Sequence, residues 1–128
     1  MILVDTSVVV EFLRTDDPEM RRVFVAHDAA ICGVTRAEVL HGARRHEDIQ
    51  RLVAGLNVFR NLPIPETLWD RIGENLATLR FAGLVVPFAD AILATVAIHY
   101  GLQLWTRDVH FTNIQQALPG LMLFQESP

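Results

Sequence analysis

Four carboxylates, Asp5, Glu38, Asp90 and Asp108, stand where apolar runs hand over to a helix or a turn. Asp5 follows Ile2-Leu3-Val4 directly, and the other three take corresponding places further along the chain. In an α/β fold such handover points gather along the carboxyl ends of the strands, the rim at which ligands bind. Acids crowded on one rim oppose one another's ionisation unless a cation neutralises them. Hard oxygen donors of this kind suit Mg²⁺ or Mn²⁺. Each acid also has a plain structural reading: Asp5 and Asp90 as caps of helices beginning at Thr6-Ser7 and Ala91, Glu38 in a capping box with Thr35, and Asp108 in a turn. Capping explains an acid at one helix start. Ser or Asn would serve equally well, so capping leaves the recurrence at four places unexplained.

The elements that must position these acids follow from the hydrophobic pattern. Ile2 to Val4 reads as a short buried strand, followed by a helix to about Leu13. Asp17-Pro18 opens a second helix, to about His27, with Asp as its cap and Pro in its first turn. Ala30-Ile31-Cys32 is a second strand, Thr35 to Glu38 opens a third helix, and Ile49, Leu52, Val53 and Leu56 have the spacing of a fourth. Val58 to Ile64 reads as extended. Pro65 starts a helix with the stripe Leu68, Trp69, Ile72, Leu76 and Leu79, closed near Gly83. Asp90 opens an apolar helix ending at Tyr100-Gly101, and Leu102 to Thr106 and Leu121 to Phe124 are the last strands. Short apolar strands alternating with helices predict one α/β domain over residues 1–128, with helices flanking a mainly parallel sheet of about four or five strands. Strand order is not readable from this pattern.

Bulk composition narrows the chemistry. The net charge is -4, and all eleven cationic residues are Arg. Schemes that need a lysine are therefore excluded, and so is nonspecific nucleic-acid binding by a uniformly basic surface. A phosphotransfer enzyme or receiver domain also places an Asp after its first strand, but it needs a rim lysine. The related phosphatase motif needs an acid where this chain has Ser7. The five His residues lack zinc-site spacing. Arg21-Arg22 and Arg44-Arg45 read either as solvated helix faces or as phosphate contacts beside the acids. The single Cys32 precludes an intramolecular disulfide and reads as a small buried hydrophobe. With no signal-like N-terminus, and no apolar run near the ~18 residues of a membrane span, a cytoplasmic protein is expected. A hydrophobic fraction of 51% leaves apolar side chains to spare for a protein interface.

Four ordered segments resemble the PIN-domain family, and within it the bacterial VapC-type toxins. They are Ile2-Leu3-Val4-Asp5-Thr6-Ser7, Thr35-Arg36-Ala37-Glu38-Val39-Leu40-His41-Gly42, Phe88-Ala89-Asp90-Ala91-Ile92-Leu93-Ala94 and Leu104-Trp105-Thr106-Arg107-Asp108-Val109-His110-Phe111. The resemblance implies a PIN-like α/β/α sandwich and a Mg²⁺-dependent endoribonuclease, with Mn²⁺ as a substitute. Its metal-binding quartet would be Asp5, Glu38, Asp90 and Asp108. Asp5 and Asp90 would be the principal ligands, with Glu38 and Asp108 acting directly or through water. Thr6 or Ser7 would align Asp5, and Thr106 would support the site. Hydrolysis by metal-activated water would leave a 5′-phosphate and a 3′-hydroxyl, on single-stranded or looped RNA. Where the family's last motif often carries Asp or Asn, this chain has His110, a departure that weighs against a tightly held second ion. The resemblance further implies a homodimer silenced by a VapB-type antitoxin, for which Val9, Phe12 and Leu13 are candidate groove residues. A non-catalytic PIN-like binding module and a nuclease acting on another nucleic acid stay open on these residues.

Overall fold

The computed structural model describes residues 1–127. Five strands, β1 (Ile2–Val4), β2 (Ala29–Cys32), β3 (Arg60–Leu62), β4 (Gln103–Trp105) and β5 (Met122–Leu123), form one sheet in the order β3-β2-β1-β4-β5. Every neighbouring pair is parallel. Helices α1 (Thr6–Thr15) and α2 (Pro18–Ala26) join β1 to β2, and α3 (Gly33–His41) and α4 (Asp48–Leu56) join β2 to β3. The chain then crosses back through α5 (Trp69–Phe81) and α6 (Phe88–Tyr100) to β4, and α7 (His110–Ala117) leads to β5. The direction of winding reverses between β1 and β4. That crevice is the topological switch point, where α/β sheets bind their ligands.

Alternation along each strand splits the core into two layers. Ile2 and Val4 face Val8, Val9, Phe12, Phe24 and Val39 of the first three helices. Leu3 faces the other side, where α5, α6 and α7 contribute Ile72, Leu79, Leu93, Phe111 and Ile114. Both faces of the sheet are therefore covered, as an all-parallel sheet requires. Residues Ala91 to Ala97 of α6 are buried without interruption, which explains why this helix reads as apolar all round. Its one buried hydroxyl, Thr95, donates to the Ala91 carbonyl (2.7 Å) and accepts from Asn75 (2.9 Å). In the opposite layer Phe24 lies edge-on to Phe12 (4.9 Å between centroids) and to Phe59 (4.8 Å), and tilted against Trp105 (5.4 Å), locking α1 and α2 onto the sheet.

Several expectations change here. A helix over 110–117, which the hydrophobic pattern did not announce, follows the Asp108 turn. α3 begins at Gly33 after Cys32, so Thr35 lies inside the helix and forms no capping box with Glu38. α6 begins after Pro87, two residues before Asp90, so Asp90 is not its cap. Val9 and Phe12 are 0% and 3% exposed; they pack in the core and form no groove for a partner. Asp17 does cap α2, its carboxylate accepting from the Glu19 N–H (2.8 Å). Gly101, at φ 66°, closes α6 in the left-handed conformation that glycine tolerates. Among the described residues no helix is long and apolar enough to cross a membrane.

Candidate active site

Asp5 follows β1 at the switch point, and its backbone N–H donates to the Trp105 carbonyl (2.9 Å), extending the β1–β4 ladder onto the rim. Its backbone occupies the cap position of α1, yet its carboxylate caps nothing. Instead Oδ2 accepts from the Ser7 hydroxyl (2.7 Å) and the Thr106 hydroxyl (2.8 Å). Each hydroxyl in turn accepts a backbone N–H, Ser7 from Arg107 (3.2 Å) and Thr106 from Asp108 (3.0 Å). Accepting on one side directs the hydroxyl proton to the carboxylate on the other. The consequence is polarised: Oδ2 is saturated, while Oδ1 accepts no hydrogen bond among the described residues and is not sealed from solvent. Asp5 is only 4% exposed, yet one of its two oxygens carries no hydrogen bond among the described residues.

The other acids reach the rim from separate elements. Glu38, on the exposed face of α3, accepts from the Thr6 hydroxyl (2.7 Å), which ties α3 to the first turn of α1. Thr6 and Ser7 thus divide the supporting work: Ser7 holds Asp5 and Thr6 holds Glu38. Asp108 sits in the loop after β4, where Oδ1 accepts from the His110 N–H (3.0 Å) and lies 3.0 Å from His110 Nδ1. The turn role expected of Asp108 is therefore real, and His110 stands at the edge of the site as its partner.

Asp90, in the first turn of α6, reports that all four acids share one field. Its carboxyl is pushed up to about 6, first by burial and then by the charges of Asp5, Asp108 and Glu38, with His110 opposing. The acids do not form a closed cage. Among the described residues no three His, Cys, Asp or Glu side chains are drawn tightly enough to hold an ion by themselves. The donor chemistry nevertheless fits a hard divalent cation, through the open Asp5 oxygen and a half-buried carboxyl that resists its own charge. Mg²⁺ usually keeps several waters and takes only one or two carboxylates, so an open rim of this kind would suit it.

The Arg21-Arg22 pair takes its solvated-face reading: Arg21 pairs with Asp16 (2.6 Å) and Arg22 with Glu19 (3.0 Å), both exposed. Cys32 is buried, and burial raises its thiol pKa. Trp69 is 41% exposed at the edge of its stripe, whereas Trp105 is core. The sequence pattern did not reveal the Arg107–Glu126 ion pair (2.8 Å), which fastens the C-terminal tail to the loop carrying Asp108. That pair joins residues far apart in sequence and leaves no local signal.

The hydroxyl relay makes a direct prediction. Thr106→Val keeps the volume of the side chain but removes one donor from a buried carboxylate, and is expected to cost about 2 kcal/mol in urea unfolding at neutral pH. Unchanged stability would mean that Ser7 alone satisfies Asp5.

A PIN domain family model matches residues 2–116. Ribonuclease VapC1 of Methanocaldococcus jannaschii is 28% identical over 126 residues, covering 98% of this chain and 88% of that protein. Among solved structures, VapBC2 from Rickettsia felis bound to a promoter DNA fragment superposes with a TM-score of 0.82 at 21% identity, covering 97% of this chain and 98% of the other. DNA-bound VapBC from Salmonella typhimurium gives 0.80 at 20% identity, with the same coverage. The structural likeness establishes the fold, and the family match spans every acid of the rim and the elements that carry them: this chain belongs to the PIN domain family.

Proposed function

We propose that the chain is a Mg²⁺- or Mn²⁺-dependent endoribonuclease, the toxin of a VapBC-type toxin–antitoxin module. The observation that carries this reading is the polarised Asp5 carboxylate, with one oxygen held by two hydroxyls, beside an Asp90 carboxyl that burial and the charges of Asp5, Asp108 and Glu38 push up. A carboxylate recruited only as a cap would spend its oxygens on backbone N–H groups. The family match supports a nuclease, and the relative named a ribonuclease supports RNA as substrate.

In this reading Asp5 and Asp90 are the principal ligands, Glu38 binds directly or through water, and Asp108 completes the shell or orients the attacking water. The ion, when bound, supplies Lewis acidity that acidifies water and neutralises charge on the phosphodiester. Everything else is done by the chain. Ser7 and Thr106 hold Asp5 in one rotamer, Thr6 holds Glu38, and the His110 N–H holds Asp108. No covalent intermediate on the protein is required, in keeping with a rim that has neither Lys nor an accessible Cys.

The partners in this reading are RNA, a VapB-type antitoxin and a second copy of the chain. Solved VapBC complexes with the same fold support the antitoxin. With Val9 and Phe12 in the core, apolar surface for protein contact is supplied instead by residues such as Phe81, Val85 and Phe88, which are 79%, 102% and 59% exposed. The test is incubation of the purified protein with total RNA and with single-stranded DNA. Discrete RNA fragments in Mg²⁺ or Mn²⁺, lost in EDTA, are expected. Equal cleavage in EDTA would overturn the metal requirement, and cleavage of DNA alone would overturn the ribonuclease reading.

A further inference from the structure

A rim of four acids repels a polyanion, so a nuclease built on it needs positive surface beside the cut to hold the strand. The net charge of -4 and the surface ion pairs leave little of it. Arg21 and Arg22 are spent on Asp16 and Glu19, Arg107 on Glu126, and Arg60 on Asp28. Arg36 bonds Asn57, and Arg80 lies over the ring of Phe81. Arg44 differs: it is exposed and, among the described residues, has no carboxylate, amide or aromatic partner.

Its position follows from α3. Glu38 and His41 are both exposed and three residues apart, so they lie one above the other on the same helix face. α3 ends at His41, and the loop Gly42-Ala43-Arg44-Arg45-His46-Glu47 leads to α4. Helix rise from Glu38 to His41 is about 5 Å. Three further residues reach at most about 10 Å, so the Arg44 backbone lies within about 15 Å of Glu38. Within the same loop Arg45 is engaged by Glu47 (3.3 Å) and by the half-buried Asp48 (3.4 Å), contacts that pin the loop to the start of α4. Arg45 anchors the loop, and Arg44 just before it is left free.

We propose that the 42–47 loop is the surface on which the RNA backbone sits as the strand leaves the acid rim, with the Arg44 guanidinium contacting a phosphate. Exposed His41 and His46 flank it on the same stretch. This rests on the ribonuclease reading above and extends it by naming where the strand runs. Arg44 is a binding residue; it touches no reacting atom.

The experiment measures binding of a short unstructured oligoribonucleotide to the full chain in EDTA, where no cutting occurs, over a range of salt concentrations. Each phosphate contact to a single strand contributes about 0.7 to the slope of log affinity against log salt. Arg44→Gln is expected to reduce that slope by about 0.7. With Mg²⁺ restored, KM is expected to rise several-fold while kcat stays unchanged. Arg71→Gln, which breaks an exposed pair with Glu74 (3.8 Å) beside the end of α6 opposite Asp90, is expected to leave slope and KM as they were. An unchanged slope in Arg44→Gln, or an equal loss in Arg71→Gln, would overturn the assignment while leaving the ribonuclease reading intact. Wild-type protein that neither binds nor cuts RNA would overturn both.

Discussion

Asp90→Asn is expected to lower metal-dependent RNA cleavage by on the order of 10³-fold, and Asp5→Asn by at least as much. Asparagine preserves shape and a carbonyl oxygen but removes the negative charge, which is what a hard cation requires of its ligand. In Asp5→Asn the Ser7 and Thr106 hydroxyls still find an oxygen, so the rim keeps its geometry and loses its charge. In Asp90→Asn the substituted residue is the one whose carboxyl feels all three other acids. Single-turnover rates on a labelled RNA, with circular dichroism to verify folding, measure the effect. Asp16→Asn, at an exposed ion pair away from the rim, should cut normally. Either rim variant within about tenfold of wild type would remove that acid from the proposed metal site.

The same substitution is expected to stabilise the metal-free protein. Asp90 titrates at about 6 in the fold against an ordinary 3.8, so the folded state favours its protonated form. A carboxyl raised in this way contributes stability that is fully present below about pH 4 and is lost as the pH rises through about 6. The shift sets an upper limit of about 3 kcal/mol, and solvent reaching the half-buried group brings the expectation to about 1–2 kcal/mol. Asp90→Asn carries no charge to repel, so at pH 7.5 without metal it should melt several degrees above wild type, a gap that closes on acidification to pH 4. Adding Mg²⁺ or Mn²⁺ at pH 7.5 should raise the melting temperature of wild type and barely move the variant. A variant less stable than wild type at pH 7.5, or offset equally at every pH, would mean that Asp90 is structural. Gaining stability while losing activity is the usual signature of a strained functional group.

Much of this site was legible in the chain because its parts announce themselves locally. An apolar triplet ended by an acid marks Asp5, and Tyr100-Gly101 marks the end of α6. Strand order was not legible, since pairing β1 with β4 joins residues about a hundred positions apart, and the switch point depends on it. The false capping box arose because Thr35 and Glu38 keep the same spacing inside a helix as at its start. Cys32, the true cap position, has no side-chain cap hydrogen bond to advertise it. α7 was missed because Phe111 and Ile114 are its only buried apolar residues, too few to stand out among Thr112, Asn113, Gln115 and Gln116. Val9 and Phe12 have the spacing of a helix face, but spacing does not say whether that face meets core or partner.

The bond from Thr106 to Asp5 spans 101 positions, and β1 lies at the centre of the sheet beside β4. Synthesis delivers β1 well before β4, so the acid rim stays incomplete until β4 has followed. Until β4 and the loop after it emerge, Asp5 has no Thr106 to direct its oxygen and no Asp108 for a neighbour. Pairing of such long sequence separation also closes slowly. The order of synthesis therefore withholds the assembled rim from any chain that stops short of β4, a delay written into the topology itself.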